Sequence, residues 1–273
     1  MPLPTLHRQL QIQLRRSGLL LMAFVLMHTA QCARAEAQDT DPLGSMQWPV
    51  LRDEFLGAQA RVRFDPRVQV QGPAFAEDPM NVPISVVVEP GLGQVQQIIV
   101  LVDRNPIRKV LEFQPLKALP RLSFRFKLEQ ASPVRAAVQT LDGRWHVGST
   151  WVESAGGGCT APASSRSDGS WAQSLGQVSA RSFTRDAAEG AGTRLRLRVM
   201  HPMDTGLAGG VPAFYLKQLQ LQDGTGRTLF MLKTFEPVSE NPIFSVDFAQ
   251  APPGPLLIKG SDNNGNRIEG GLP

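Results

Sequence analysis

The sequence predicts an all-β protein, two antiparallel β-sandwich units docked together behind one short N-terminal helix. Three observations point there. Hydrophobic residues recur with period two in short runs, turn dipeptides separate those runs, and no helical periodicity intervenes between them. With 273 residues, 42% hydrophobic and 19% charged, the chain has a globular composition and room for one large or two small domains.

The first 35 residues stand apart. Arg15-Arg16 precedes the apolar run Gly18 to Met27, and Ala33-Arg34-Ala35 follows, the order of an n-region, an h-region and a small-residue cleavage site. The ten apolar residues would span only ~15 Å as a helix, too short for a ~30 Å hydrocarbon core, so residues 1–35 read as a cleaved export signal and the mature protein as periplasmic, with no membrane association. Gln31 before Cys32 replaces the small residue that a lipoprotein site needs. The formal charge is +4, but four of the 28 basic residues (Arg8, Arg15, Arg16, Arg34) lie in this leader; the 24 that remain equal the 24 acidic ones, which gives no footprint for nucleic acid or anionic lipid.

After the leader, residues 45–57 read as a helix with Ser45 as N-cap, Pro49 in the first turn, and Trp48, Leu51 and Phe55 on one face. Strands are expected at Val82 to Val88, Val95 to Val102, Leu122 to Leu128, Val134 to Thr140 and Trp145 to Val152, completing a first unit over residues 45–154. Pro90-Gly91, Asn105-Pro106 and the hairpin signal Asp142-Gly143 punctuate them. Residues 155–192 are rich in Gly, Ala and Ser and read as a linker carrying Cys159, with a short ordered piece around Trp171 to Leu175. Alternation resumes at Leu195, Leu197 and Val199, then at Leu219 to Leu221, Leu229 to Leu232, Phe244 to Phe248 and Leu256 to Lys259, with Asn264-Gly265 as the last hairpin turn. Residues 193–273 thus form a second β unit, small enough to need contact with the first to cover its apolar surface.

Most short motifs are better explained as turns. Gly91-Leu92-Gly93 opens like a dinucleotide fingerprint, but Gln96 replaces the third glycine and no helix follows. Asp262-Asn263-Asn264-Gly265-Asn266 has Arg267 where a calcium loop needs glycine. P-loop, His-Glu-x-x-His, Gly-x-Ser-x-Gly and Cys-x-x-Cys-His signatures are absent, and His146 and His201 are the only histidines beyond the leader, so no metal or cofactor is expected.

Cleavage at Ala35 leaves Cys159 as the one cysteine, unable to form an intramolecular disulfide in an oxidising compartment. It follows Gly156, Gly157 and Gly158, which have no side chains to obstruct a narrow channel. Four residues from Ala155 could carry the sulfur ~13 Å from the last strand. These glycines read as a flexible arm and Cys159 as a covalent attachment point. No His or Lys adjoins it, and an unperturbed thiol with pKa ~8.5 is only a few per cent thiolate at pH 7, so partners would activate it.

With those residues in view, the mature chain resembles a fusion of the two subunits of the Sox sulfur carrier, SoxY followed by SoxZ. The first half is similar to SoxY at Asp103-Arg104-Asn105-Pro106, Ser132-Pro133-Val134-Arg135-Ala136 and the Gly157-Gly158-Cys159 ending. The second half is similar to SoxZ at Arg198 to Gly206, Pro212-Ala213-Phe214, Ser239-Glu240-Asn241-Pro242 and Asp262 to Gly265. The single-chain arrangement and the Trp48 to Gly57 opening are closest to the quinoprotein dehydrogenase-associated SoxYZ-like proteins.

The resemblance implies two immunoglobulin-like sandwiches and a non-enzymatic carrier that holds sulfur-containing intermediates covalently on Cys159. Its implied partners are periplasmic redox enzymes or cytochromes, Sox-type or quinoprotein dehydrogenase-linked, and the two domains pair within the chain. In SoxY the Gly-Gly-Cys-Gly-Gly arm is a free C-terminus, whereas here Thr160 and Ala161 follow and the chain continues. Such a tether enters a channel only as a loop, which favours an open cleft on the partner. His201 falls in a matching motif but reads as a structural loop residue. The alternative function is a binding or assembly module that docks non-covalently to a quinoprotein dehydrogenase or cytochrome, its cysteine passive; a thiol enzyme ranks last, for want of a base or an orienting acid.

Overall fold

A computed structural model describes residues 39–166, 169, 171–186 and 190–272. The export signal expected at 1–35 lies outside them. The chain is all-β, with strands β1 (Val62–Phe64), β2 (Val68–Gln71), β3 (Phe75–Ala76), β4 (Val82–Val88), β5 (Val95–Val102), β6 (Lys109–Gln114), β7 (Arg121–Phe126), β8 (Ser132–Thr140) and β9 (Trp145–Ser154) in the first half. The second half holds β10 (Val178–Arg185), β11 (Gly192–Val199), β12 (Leu216–Gln222), β13 (Thr228–Thr234), β14 (Ile243–Phe248), β15 (Leu256–Asp262) and β16 (Arg267–Leu272). Helix α1 is Trp48–Phe55 and a single turn, α2, is Trp171–Ser174.

The halves dock edge to edge, strand to strand. Ten strands form one sheet in the order β1-β9-β8-β5-β6-β13-β12-β15-β16, with β3 also on β9, and six form another in the order β10-β11-β14-β7-β4-β2. Both sheets cross the junction: β6 pairs with β13 through Phe113 and Leu232, and β7 pairs with β14 through Ser123 and Ser245. One apolar core runs between the sheets and draws on both halves, with Phe113 and Phe230 meeting edge-on at 6.0 Å. The second half covers its apolar surface by extending the first half's sheets.

Two expectations change. Residues 178–185, expected within a linker, form the edge strand β10 paired along its length with β11. Ser and Arg dominate that segment and obscure its alternation, but an edge strand with a solvated face needs few apolar positions. Ser45 does not cap α1: the N-cap is Gln47 without a side-chain hydrogen bond, and Ser45 lies in a turn where its N–H donates to Asp41 Oδ2 (2.8 Å). The helix buries Trp48 and Leu51 in a second apolar cluster on the outer face of the large sheet, with Phe64, Ile99, Leu101, Ala137, Trp145 and Val147.

Candidate functional site

Strand β9 delivers the chain to Gly156, Gly157 and Gly158, and the structure gives these glycines a different task from flexibility. Gly156 and Gly157 sit at φ +93° and +85°, which glycine adopts without a Cβ penalty. At Gly158 a Cβ would stand 2.2 Å from Pro79 O and 2.7 Å from Leu128 O, so only glycine fits between those backbones. The arm lies along residues 128–129: Gly157 N donates to Glu129 O (3.0 Å), Gly158 N to Leu128 O (3.2 Å) and Cys159 N to Glu129 Oε2 (2.9 Å). From the other half, the Thr205 hydroxyl donates to Cys159 O (2.6 Å).

This arrangement corrects the expectation of an exposed thiol. Cys159 is fully buried at the seam of the two halves, its Sγ 3.5 Å from Lys127 O. A Gly-rich segment buries a cysteine when its own amide groups find acceptors, and here Leu128 and Glu129 supply them. Burial, reinforced by the Glu129 carboxylate and opposed by Lys127, pushes the Cys159 thiol up to about 12. In this conformation the thiol is protonated and a poor nucleophile.

Lys127 is the neighbour that the sequence did not disclose. Alternation through Leu122, Phe124, Phe126 and Leu128 assigns it to the solvent face, but β7 ends at Phe126 and Lys127 is fully buried. Its backbone N–H donates to Pro237 O (2.6 Å) and its ammonium to Met203 O (2.6 Å). Burial draws its pKa down, against the fields of Asp204, Cys159 and Glu240. Among the described residues no carboxylate lies within ion-pair distance of it.

The return leg of the loop is fastened to the second half. Asp204 accepts from Ala163 N (3.3 Å) and Arg166 Nε (2.6 Å), and Glu240 from the amides of Ser164 (2.7 Å) and Ser165 (3.0 Å). Arg166 stacks on Trp171 at 4.6 Å. His201 holds the neighbouring loop in the role read for it: its Nδ1 accepts from Met203 N (3.1 Å) and its ring packs 4.4 Å from Phe214. Burial lowers its pKa to about 4, so it is neutral at pH 7. The site thus unites the foreseen Cys159 and glycine arm with Lys127 and Glu129, which carried no motif, and with Thr205, which lies in the SoxZ-like segment Arg198 to Gly206 without having been singled out as a site residue.

Residues 52–159 match the family described as sulfur oxidation protein SoxY, and residues 181–271 match that described as sulphur oxidation protein SoxZ. The SoxY match ends on Cys159. No curated protein matches the chain. Among solved structures, the sulfur carrier protein SoxY from Chlorobium limicola f thiosulfatophilum is 18% identical, covering 39% of this chain and 90% of that one with a TM-score of 0.35. A beta-glycosidase from Bacteroides vulgatus is 9% identical, covering 80% of this chain and 25% of that one with a TM-score of 0.24. The chain is a sulfur-oxidation carrier of SoxYZ-like type, a SoxY domain followed by a SoxZ domain in one polypeptide.

Proposed function

We propose that the chain is a periplasmic carrier that holds sulfur-containing intermediates covalently on Cys159 and presents them to partner redox enzymes, Sox-type or quinoprotein dehydrogenase-linked. The observation that carries this reading is the position of Cys159: the last residue of the SoxY match, on a glycine arm that both halves clasp at their seam. The clasp makes the carrier gated. Docked, the thiol is protonated and screened from adventitious oxidants in an oxidising compartment. Loading requires the arm to lift from Leu128 and Glu129, which exchanges a few backbone hydrogen bonds for water at about 1 kcal/mol each. Once lifted, the thiol returns to its ordinary pKa and reacts within a partner's site.

The burial of Cys159 also suits the second reading, a docking module with a passive cysteine. Cys159→Ser separates the two. In cells supplied with thiosulfate, the carrier reading expects the variant chain to fold, accumulate normally and support no consumption above that of a deletion strain. Consumption at the wild-type rate would establish the passive module instead.

A further inference from the structure

The near-zero charge balance of the mature sequence conceals a segregation of charge. The strands of the six-stranded sheet hold seven arginines against one carboxylate, Asp247. Asp247 is buried and already paired with Arg194 (2.8 Å) and Arg185 (3.3 Å). Register places four of the other five in rows on the outward face: Arg181 opposite Arg196, Arg196 opposite Ser245, Ser245 opposite Ser123, with Arg125 and Arg198 one pleat along. Arg125, Arg181, Arg196 and Arg198 are exposed and, among the described residues, make no ion pair; Arg196 lies 5.5 Å over the Phe183 ring. Glu89 and Glu240, at the two ends of the face, are occupied by Gln69 and by the amides of Ser164 and Ser165. The ten-stranded sheet is arranged differently: there Lys109 and Lys233 both reach Glu112, and Lys259 faces Glu269.

Like charges directly opposite on adjacent strands destabilise a sheet, so the Arg181–Arg196 pair is a cost that an external anion would remove. Strands are spaced ~4.8 Å apart, so Arg125 and Arg181, three strands from each other, are separated by roughly 14 Å. A single small oxyanion cannot bridge that distance, but an acidic protein surface can. Between Arg125 and Arg196 lies a cleft of about 490 Å³ whose lining mixes Ser85, Ser123 and Ser245 with Pro83 and Ile243; the serines offer hydroxyl donors to carboxylate-bearing side chains. A second cleft, of about 290 Å³, is lined by Arg125 and Arg198 together with Ser164 and Glu240, the contact that fastens the return leg of the cysteine loop.

We propose that the outward face of the six-stranded sheet is the docking surface for an acidic face of a partner protein, and that docking there brings the partner to the return leg of the Cys159 loop. The assignment of this partner as the enzyme served by the carrier rests on the carrier reading; the docking itself needs no thiol.

The test uses the mature chain and its Cys159→Ser form, titrated with an oligo-glutamate peptide of about ten residues, long enough at ~3.4 Å per residue to span the face. Binding is read from amide shifts. The proposal expects shifts concentrated in β7, β10 and β11, identical in both chains, and a loss of affinity of at least about tenfold on Arg196→Glu with Arg198→Glu. Lys217→Glu with Arg267→Glu, exposed charges of the other sheet, should leave affinity unchanged. Affinity should also fall as ionic strength rises from ~0.01 M to ~0.15 M and the Debye length shrinks from ~30 Å to ~8 Å. Equal losses in the two double variants would overturn the proposal, as would displacement of the peptide by phosphatidylglycerol vesicles or by equimolar thiosulfate. Because the peptide is read equally well without the thiol, its failure leaves the fate of Cys159 unaffected.

Discussion

Gly158 determines whether Cys159 is hidden. The backbone oxygens of Pro79 and Leu128 close on its α-carbon, and neither can yield to a methyl group without moving a segment. Gly158→Ala should therefore keep the arm from docking while leaving the sheets intact. Moving the thiol from an ordinary ~8.5 to about 12 leaves over roughly a thousandfold less thiolate at pH 8, so the variant should alkylate with iodoacetamide at least about a hundredfold faster than wild type. The sign of the pH dependence follows. The docked thiol holds its proton more tightly than the free one, so docking is fully favoured below pH ~8.5 and weakens as pH rises toward about 12, and the two rates should converge in that direction. Equal rates at pH 8, with unchanged circular dichroism, would show that the docked arm does not control reactivity.

At the scale of elements, residues 39–57 are strapped to the large sheet by one buried guanidinium. Arg135 is fully buried between Asp103 (2.8 Å) and Asp41 (2.8 Å), 4.7 Å from the Trp48 ring. Burial would raise the Asp41 carboxyl, but Arg135 and the amides of Ser45 and Leu43 hold it below the usual carboxylate range. Arg135→Met leaves two carboxylates uncompensated and should cost about 3–5 kcal/mol. Limited proteolysis checks it: first cleavage should move to Arg52 in α1, and a pattern unchanged from wild type would refute the strap.

The strands that the sequence revealed carry a clear apolar signal, either an alternating face as in Val82–Val88 or a continuous apolar run as in Val95–Val102. Those it hid break that rule. Lys109–Gln114 buries the neighbours Val110 and Leu111 because it lies mid-sheet at the junction, and β1 to β3 are too short to display a period. Cys159 and its glycines were legible because they are a contiguous signature. The proximity of Lys127, Glu129 and Thr205 to the thiol was not legible, even though Thr205 lies in a SoxZ-like segment, because it is created by the strand pairing across the halves.

For the molecule as a whole, sheet continuity is what makes a site at the seam possible. With β6 on β13 and β7 on β14, the halves present Glu129 and Thr205 to the same residue from a common frame, and the arm can open without separating the domains. A chain with 28 basic and 24 acidic residues can still carry seven arginines against one carboxylate on the strands of one sheet, because composition reports the total of the charges and folding decides their distribution. The central claim is that Cys159 bears cargo. Intact-protein mass spectrometry of the chain, purified from its own cells without reductant during growth on thiosulfate, tests it most directly. The carrier account predicts sulfur-bearing masses that map to Cys159 and vanish on reduction; a thiol that is unmodified throughout under those conditions would contradict it.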